Sequence, residues 1–239
     1  MAVDWSIIDS GKSSAKENMA LDIQLLANAG SHSQPLLHLY DWSVPSATYG
    51  YFTDPYLVLK LEAVRKIGLD LVRRPTGGGI IFHMYDFAFS IVIPSNDRAY
   101  SVNTLENYAF VNSIIIEALK RFNGVDSMLH PIESPPLDGH ASRFCMAKPT
   151  KYDVMVDGRK VGGGAQRRTR DGFLHQGSIA LSLPNEEFMS SILIPETRVL
   201  EAMRMHTYPL LKDVVAAESL KDIRCQLQET LKSVVLEMH

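Results

Sequence analysis

Two runs of three consecutive glycines stand beside basic residues in this chain, and a cysteine lies between them. RRPTGGGIIFH (73–83) places Arg73 and Arg74 ahead of Thr76, Gly77, Gly78 and Gly79. Bare glycine backbone exposes N–H groups and a guanidinium is a fixed, forked cation, a pairing suited to a carboxylate or phosphate. No Lys-Ser/Thr pair follows the glycines and a dinucleotide fingerprint would be spaced differently. The plain alternative, a turn between strands, is weakened by the conformational freedom three glycines lose on folding. GRKVGGGAQRR (158–168) repeats the theme, with Lys160 ahead of Gly162, Gly163, Gly164 and Ala165. A ligand can lie against such a strand with the ammonium on a negative oxygen; the alternative is a solvated strand lysine.

Cys145 sits in HPIESPPLDGHASRFCMAKPTK (130–151), near Arg143 and Lys148 in sequence. A cysteine near cations can act as a thiolate nucleophile, whereas most lone cysteines are small buried hydrophobes. Cys225 falls opposite its helix's apolar stripe and has no suggestive neighbours. His130 and His140 lack metal spacing, so no metal site is expected. His83 and His175 each follow a strand near a glycine run and are either pocket-lining or structural. Arg167, Arg168 and Arg170 read as a solvated hairpin tip able to steer an acidic partner.

The elements that must position these residues are legible in outline. SSAKENMALDIQLLANAG predicts a helix opened by capping serines, with Met19, Ile23 and Leu26 on one face and Gly30 at its end. HLYDWSVPSATYGYF (38–52) reads as two short strands around Pro45, and LDLVRR, GIIFH and FAFSIVIP as further strands. TLENYAFVNSIIIEALKRFNG is a helix capped by Thr104, with a stripe of Leu105, Tyr108, Val111, Ile115, Leu119 and Phe122, ended by Gly124. Residues 130–151 have no periodicity and predict a long ordered loop, of the kind often functional. Asp157-Gly158 signals a type I′ hairpin between YDVMV and RKVGGGAQ, and GFLHQGSIALSL continues as a strand. From Pro184 the chain turns helical, with Leu220, Ile223, Leu227, Leu231 and Val234 on one face. The pattern is α+β: a central mixed, largely antiparallel sheet flanked by helices, with a helical tail.

The 239 residues are 46% hydrophobic and 21% charged, ordinary values for a globular protein. A formal net charge of -3 argues against a nucleic-acid partner. The N-terminus lacks a secretory pattern and no apolar run approaches the roughly 18 residues of a membrane span. Two cysteines suit a reducing compartment, so a cytoplasmic protein is expected.

With these pieces placed, residues 5–184 resemble the lipoate–protein ligase and octanoyltransferase family, related in fold to the biotin–protein ligase catalytic domain. ENMALD (17–22), WSVPSATYGYF (42–52), RRPTGGGIIFH and GRKVGGGAQRRTRDGFLHQGSI (158–179) carry the resemblance, in the family's order. It implies a catalytic domain over 1–184 and a helical extension over 185–239 packed on it. It also implies attachment of a lipoyl or octanoyl group to one lysine of a lipoyl carrier domain, as in 2-oxoacid dehydrogenase E2 and the glycine-cleavage H protein. The glycines would line a narrow apolar acyl tunnel. Lys160 matches the lysine that contacts the acyl carbonyl; Arg74, Thr76, Gly77, Gly78 and Gly79 match the arginine–glycine loop; Gly163, Gly164 and Ala165 match the lysine motif. Trp42 and His83 match pocket positions, with His175 on the strand that follows.

Two routes exist in the family. Ligases use ATP, with Mg²⁺, and an acyl-adenylate; transferases take the group from an acyl carrier protein or another lipoyl domain, with no tightly bound cofactor. One transferase branch forms a thioester on a loop cysteine, followed by proline at four residues and Tyr-Glu or Tyr-Asp at seven and eight. Cys145, Pro149, Tyr152 and Asp153 fit that spacing, and HMYDFAFS (83–90) has the transferase length. In this reading Lys160 helps ionise Cys145 and polarises the thioester. Three departures point elsewhere: Gly79 stands where the branch has arginine, Gly164 where the motif has serine, and His175-Gln176 reverses the branch's Gln-His order. The cysteine transferase is the main expectation. An ATP-dependent ligase is the alternative, and a non-catalytic lipoyl-binding or regulatory homologue the remote one.

Overall fold

A computed structural model of the chain describes residues 4–211 and 217–238. Its strands are β1 (Ser6–Ser13), β2 (Leu36–Trp42), β3 (Ser46–Tyr49), β4 (Asp70–Arg73), β5 (Ile80–Phe82), β6 (Asp86–Pro94), β7 (Met128–Leu129), β8 (Val154–Val156), β9 (Arg159–Arg168) and β10 (Gly172–Ala180). Its helices are α1 (Ala15–Ala27), α2 (Leu61–Lys66), α3 (Thr104–Asn123), α4 (Glu186–Ile192), α5 (Val199–His206) and α6 (Ala217–Glu237). Seven strands join in the order β1-β2-β6-β10-β9-β8-β7, antiparallel at every pairing except β1 with β2. The other three form a small sheet, β4-β3-β5. The two strands flanking Pro45 therefore part company, β2 entering the large sheet and β3 the small one. The architecture is the α+β, largely antiparallel one that the sequence pattern implies.

Local signals explain most boundaries. Ser14 caps α1 in a capping box with Glu17. The helix stops at Ala27 rather than Gly30, because Asn28 caps it and a short 3₁₀ turn follows. Its buried face also differs from the expected stripe. Ile23 is 50% exposed, whereas Asn18 and Asp22 are buried beside Met19, Leu25 and Leu26. Those polar residues are tolerated there because each is bonded: Asn18 donates to Asp41 O, and Asp22 meets His38, Ser90 and Gln176. On α3 the cap is Asn103, whose Oδ1 accepts from Leu105 N, so Thr104 is the first helical residue. Leu105 is exposed; Gly124 ends the helix at φ 69°. Asp157 and Gly158, at φ 49° and 73°, make the β8–β9 turn in the left-handed region that type I′ requires.

Helices α3 and α6 bury one face of the large sheet, where Val111, Ile115, Leu119, Leu220, Leu227, Leu231 and Val234 meet Phe89, Ile91, Val161 and Ile179. A second core joins the small sheet to α4, α5 and the 130–151 segment through Phe82, Phe144, Met146, Met189 and Val199. That segment is irregular apart from a 3₁₀ turn at Ala141–Arg143. It is stitched to β5 where Cys145 N donates to Ile80 O, 3.1 Å. Among the described residues no helix is long and apolar enough to cross a membrane.

Candidate active site

A cavity of about 370 Å³ is lined from both sheets and from the 130–151 segment. Arg74, Gly78, Gly79, His83, Cys145, Lys160, Gly163, Gly164 and Ala165 all reach it, although they come from three separate stretches of sequence. Met19, Tyr40, Ile81, Phe144 and Met146 supply apolar wall. The volume lies within the range of small-ligand pockets, about 300–1,000 Å³.

The sulfur is held by the first glycine loop. Gly79 N–H donates to Cys145 Sγ at 3.1 Å and Arg74 Nη2 at 3.4 Å. Arg74 is 5% exposed and its remaining bonds go to neutral acceptors: Gly77 O at 2.7 and 3.1 Å, Thr48 O and Oγ1 at 3.3 Å. Among the described residues no carboxylate pairs with it, so a buried cation faces a thiol. Such a cation is poorly compensated until negative charge develops beside it. The glycines make the approach possible. Gly78 lies at φ 84°, and a Cβ there would sit 2.7 Å from Arg74 Nη2 and 3.2 Å from Cys145 Sγ. A Cβ on Gly79 would collide with the backbone of Arg143 and Phe144. The close passage of the Cys145 loop thus accounts for glycine at 79 in this chain.

Lys160 is placed differently from its expected role on the sulfur. Its ammonium, 5% exposed, pairs with Asp153 Oδ2 at 2.8 Å and donates to the carbonyl of Cys145 at 3.0 Å. Asp153 Oδ2 is fixed in turn by Thr150 N (2.7 Å) and Oγ1 (2.9 Å). The cation on Sγ is Arg74, which is far from it in sequence. An ammonium has three donors, so two fixed bonds leave one proton for a ligand.

Four residues singled out in the sequence lie behind the lining. Trp42 stacks on His83 at 4.0 Å and 15°. The His83 ring is pinned between Asp86 Oδ2 and Thr48 Oγ1, each 2.9 Å away, and Ser178 Oγ donates to the same Asp86 oxygen. Thr76 donates to Gln176 Oε1 at 2.6 Å, and Gln176 Nε2 donates to Asp22. Gly77 offers its carbonyl to Arg74. His175 does not reach the cavity. It packs on Tyr108 and meets Gln166 Nε2 through Nδ1, and burial pushes its pKa down to about 3. It is neutral at ordinary pH and its ring occupies the space that a Cβ on Gly164 would fill. The His175 ring thus leaves no room for a side chain at 164.

Residues that the sequence reading did not assign a role include Asp153, Gln176, Ser178 and Arg224. Gln176 and Ser178 follow from the period of two along β10, since they alternate with His175 and Gly177. Arg224 on α6 donates to the carbonyls of His83, Met84 and Asp86. No local motif marks it. Among the described residues no three His, Cys, Asp or Glu side chains are placed to hold a metal ion.

Residues 14–223 match the family of lipoyl protein ligase A/B catalytic domains. An octanoyltransferase LipM of Anoxybacillus flavithermus is 34% identical over 207 residues, covering 84% of this chain and 74% of its own. The octanoyltransferase LipM of Bacillus subtilis is 30% identical over 234 residues, 96% of this chain and 83% of its own. A Thermoplasma acidophilum lipoate protein ligase structure with bound lipoic acid superposes with a TM-score of 0.69 at 20% identity. It covers 98% of this chain and 86% of that one, a likeness of fold.

Proposed function

The chain belongs to the lipoyl protein ligase A/B catalytic-domain family, and from that premise we propose that it transfers an octanoyl or lipoyl group to the acceptor lysine of a lipoyl carrier domain through a thioester on Cys145. The observation that carries the reading is the cavity-facing sulfur with Gly79 N–H and the uncompensated Arg74 upon it. In the first half-reaction the Cys145 thiolate attacks an acyl thioester on a carrier. The C–S bond to the donor breaks, and the donor leaves as a thiolate that takes up a proton. In the second, the neutral amine of the acceptor lysine attacks the Cys145 thioester, the C–S bond breaks to expel the Cys145 thiolate, and an amide forms as the amine gives up one proton to solvent. Sulfur bears charge as nucleophile and then as leaving group, and the same two donors serve both moments. Lys160, oriented by Asp153, turns its free proton to the acyl oxygen. The apolar walls and glycine backbone take the acyl chain.

The thioester supplies the driving force, so this route consumes no ATP and needs no tightly bound cofactor. The octanoyltransferase relatives favour it over the ligase alternative. The acceptors by this reading are E2 or H-protein type lipoyl domains, the donor an acyl carrier protein. Residues 185–239 act as part of the same catalytic unit, with Arg224 bracing the turn that carries His83. Incubation of the enzyme and apo lipoyl domain with octanoyl-carrier protein, or with lipoate, ATP and Mg²⁺, separates the routes by intact mass of the acceptor. Acylation is expected in the first mixture. Acylation in the second alone, undiminished in Cys145→Ala, refutes the transferase.

A further inference from the structure

Beside the cavity, the turn after β3 carries two aromatic side chains outward. Phe52 is 91% exposed and Tyr51 45%, their rings edge to face at 5.1 Å. Two arginines from separate elements converge on Tyr51: Arg73 at the end of β4 lies 4.8 Å from its ring centroid, and Arg167 on β9 lies 5.8 Å away. The arginine ion pairs among the described residues involve Arg65, Arg121, Arg170, Arg198, Arg204 and Arg224. Arg73, Arg167 and the cavity-edge Arg143 stand outside them. The next residue along, Thr53, lines the cavity and donates to Gly78 O at 2.7 Å. A chain of net charge -3 thus gathers uncompensated cations and an exposed ring at the edge of the cavity that holds Cys145. A protruding aromatic ringed by cations is the composition of a protein-binding hot spot that selects a negative partner.

We propose that Tyr51, Phe52, Arg73 and Arg167 form the docking surface for the carboxylate-rich face of the carrier protein that brings the acyl thioester to Cys145. The inference rests on the acyl-transfer reading and names the surface that reading requires. Charge complementarity commits the occupant: the arginines lack the carboxylates that such a carrier supplies, whereas a surface used by the acceptor domain instead would lower transfer equally from every donor. Phe52 is the apolar anchor, and the arginines set orientation and encounter rate. A small acyl thioester has no carboxylate surface and passes the rim without using it.

The test compares octanoyl-carrier protein with octanoyl-N-acetylcysteamine as donors, for the wild type, Arg73→Glu/Arg167→Glu and Phe52→Ala. With the carrier, kcat/KM is expected to fall by about 10- to 100-fold in the charge-reversed enzyme, chiefly through KM, and less in Phe52→Ala. With the small thioester both variants keep wild-type turnover, which also reports that they are folded. Added salt should slow the wild type with the carrier and leave the charge-reversed enzyme flat. Unchanged kinetics with the carrier, or an equal fall with both donors, would overturn the docking surface. Absence of transfer by the wild type from either donor removes the acyl-transfer reading, and the surface with it.

Discussion

In the triplet Gly77-Gly78-Gly79 the missing side chains let two backbones and a sulfur come together; in Gly162-Gly163-Gly164 they leave room for side chains of neighbouring elements. The first triplet is a loop, with Gly78 at φ 84° and Gly79 pressed on the Arg143–Phe144 backbone. The second lies within an ordinary strand, β9. There Asp153 and Lys160 Cε fill the space above Gly163, the His175 ring fills that above Gly164, and Ser178 O and Ile179 flank Gly162. In the first triplet Gly79 aims a hydrogen-bond donor and cannot yield, because its neighbours are backbone. In the second, Gly163 clears space for side chains that can move, while Gly164 faces both the His175 ring and the backbone oxygen of Gln176. Identical composition therefore predicts different sensitivity to the same methyl group.

Gly79→Ala is expected to have the largest effect. The loop bearing Cys145 must retreat, and a displacement on the order of 1 Å lowers transfer by about 10²-fold. Gly77→Ala is its internal control, since no atom lies within 4 Å of a Cβ there; its transfer rate should equal that of the wild type. Gly163→Ala should lower kcat by about tenfold, because the methyl dislodges the Asp153–Lys160 pair but both side chains can rotate away. Gly164→Ala should act on stability more than on turnover, by about 1–3 kcal/mol of overpacking against His175. Adding His175→Ala should restore much of that loss in a double-mutant cycle read by urea denaturation. Equal losses of activity from alanine in either triplet would break the contrast.

A smaller, pH-dependent effect belongs to the second triplet. The folded-state pKa of His175 is about 3 against an ordinary 6.5, so between those values the unfolded chain binds the extra proton. Its contribution to stability is complete above about pH 6.5 and is lost as pH falls toward about 3. The urea midpoint of His175→Gln should decline less over that window than the wild type's.

The glycine runs, the cysteine loop and the I′ hairpin were legible because each is a local signal. Which cation touches the sulfur was not. Lys160 is 15 residues from Cys145 and Arg74 is 71, yet the nearer in sequence bonds the carbonyl and the farther the sulfur. Tertiary packing decides that choice. The facing of His175 was hidden for another reason: polar residues fall on both sides of β10, His175 on one and Gln176 and Ser178 on the other, so polarity does not tell which side meets the cavity. On α1, Asp22 and Asn18 took a buried face that an apolar stripe would assign to Ile23, because their partners lie on strands distant in sequence. Arg224 reaches the His83 turn from the last helix, with no motif to announce it.

The central claim is that Cys145 carries the acyl group. Mixing the enzyme with octanoyl-carrier protein, without acceptor, and measuring intact protein mass tests it directly. One octanoyl group should be added, located at Cys145 by peptide mapping, absent in Cys145→Ala, and discharged when apo lipoyl domain is supplied. An enzyme that stays unmodified while still acylating the domain from that donor would contradict the account.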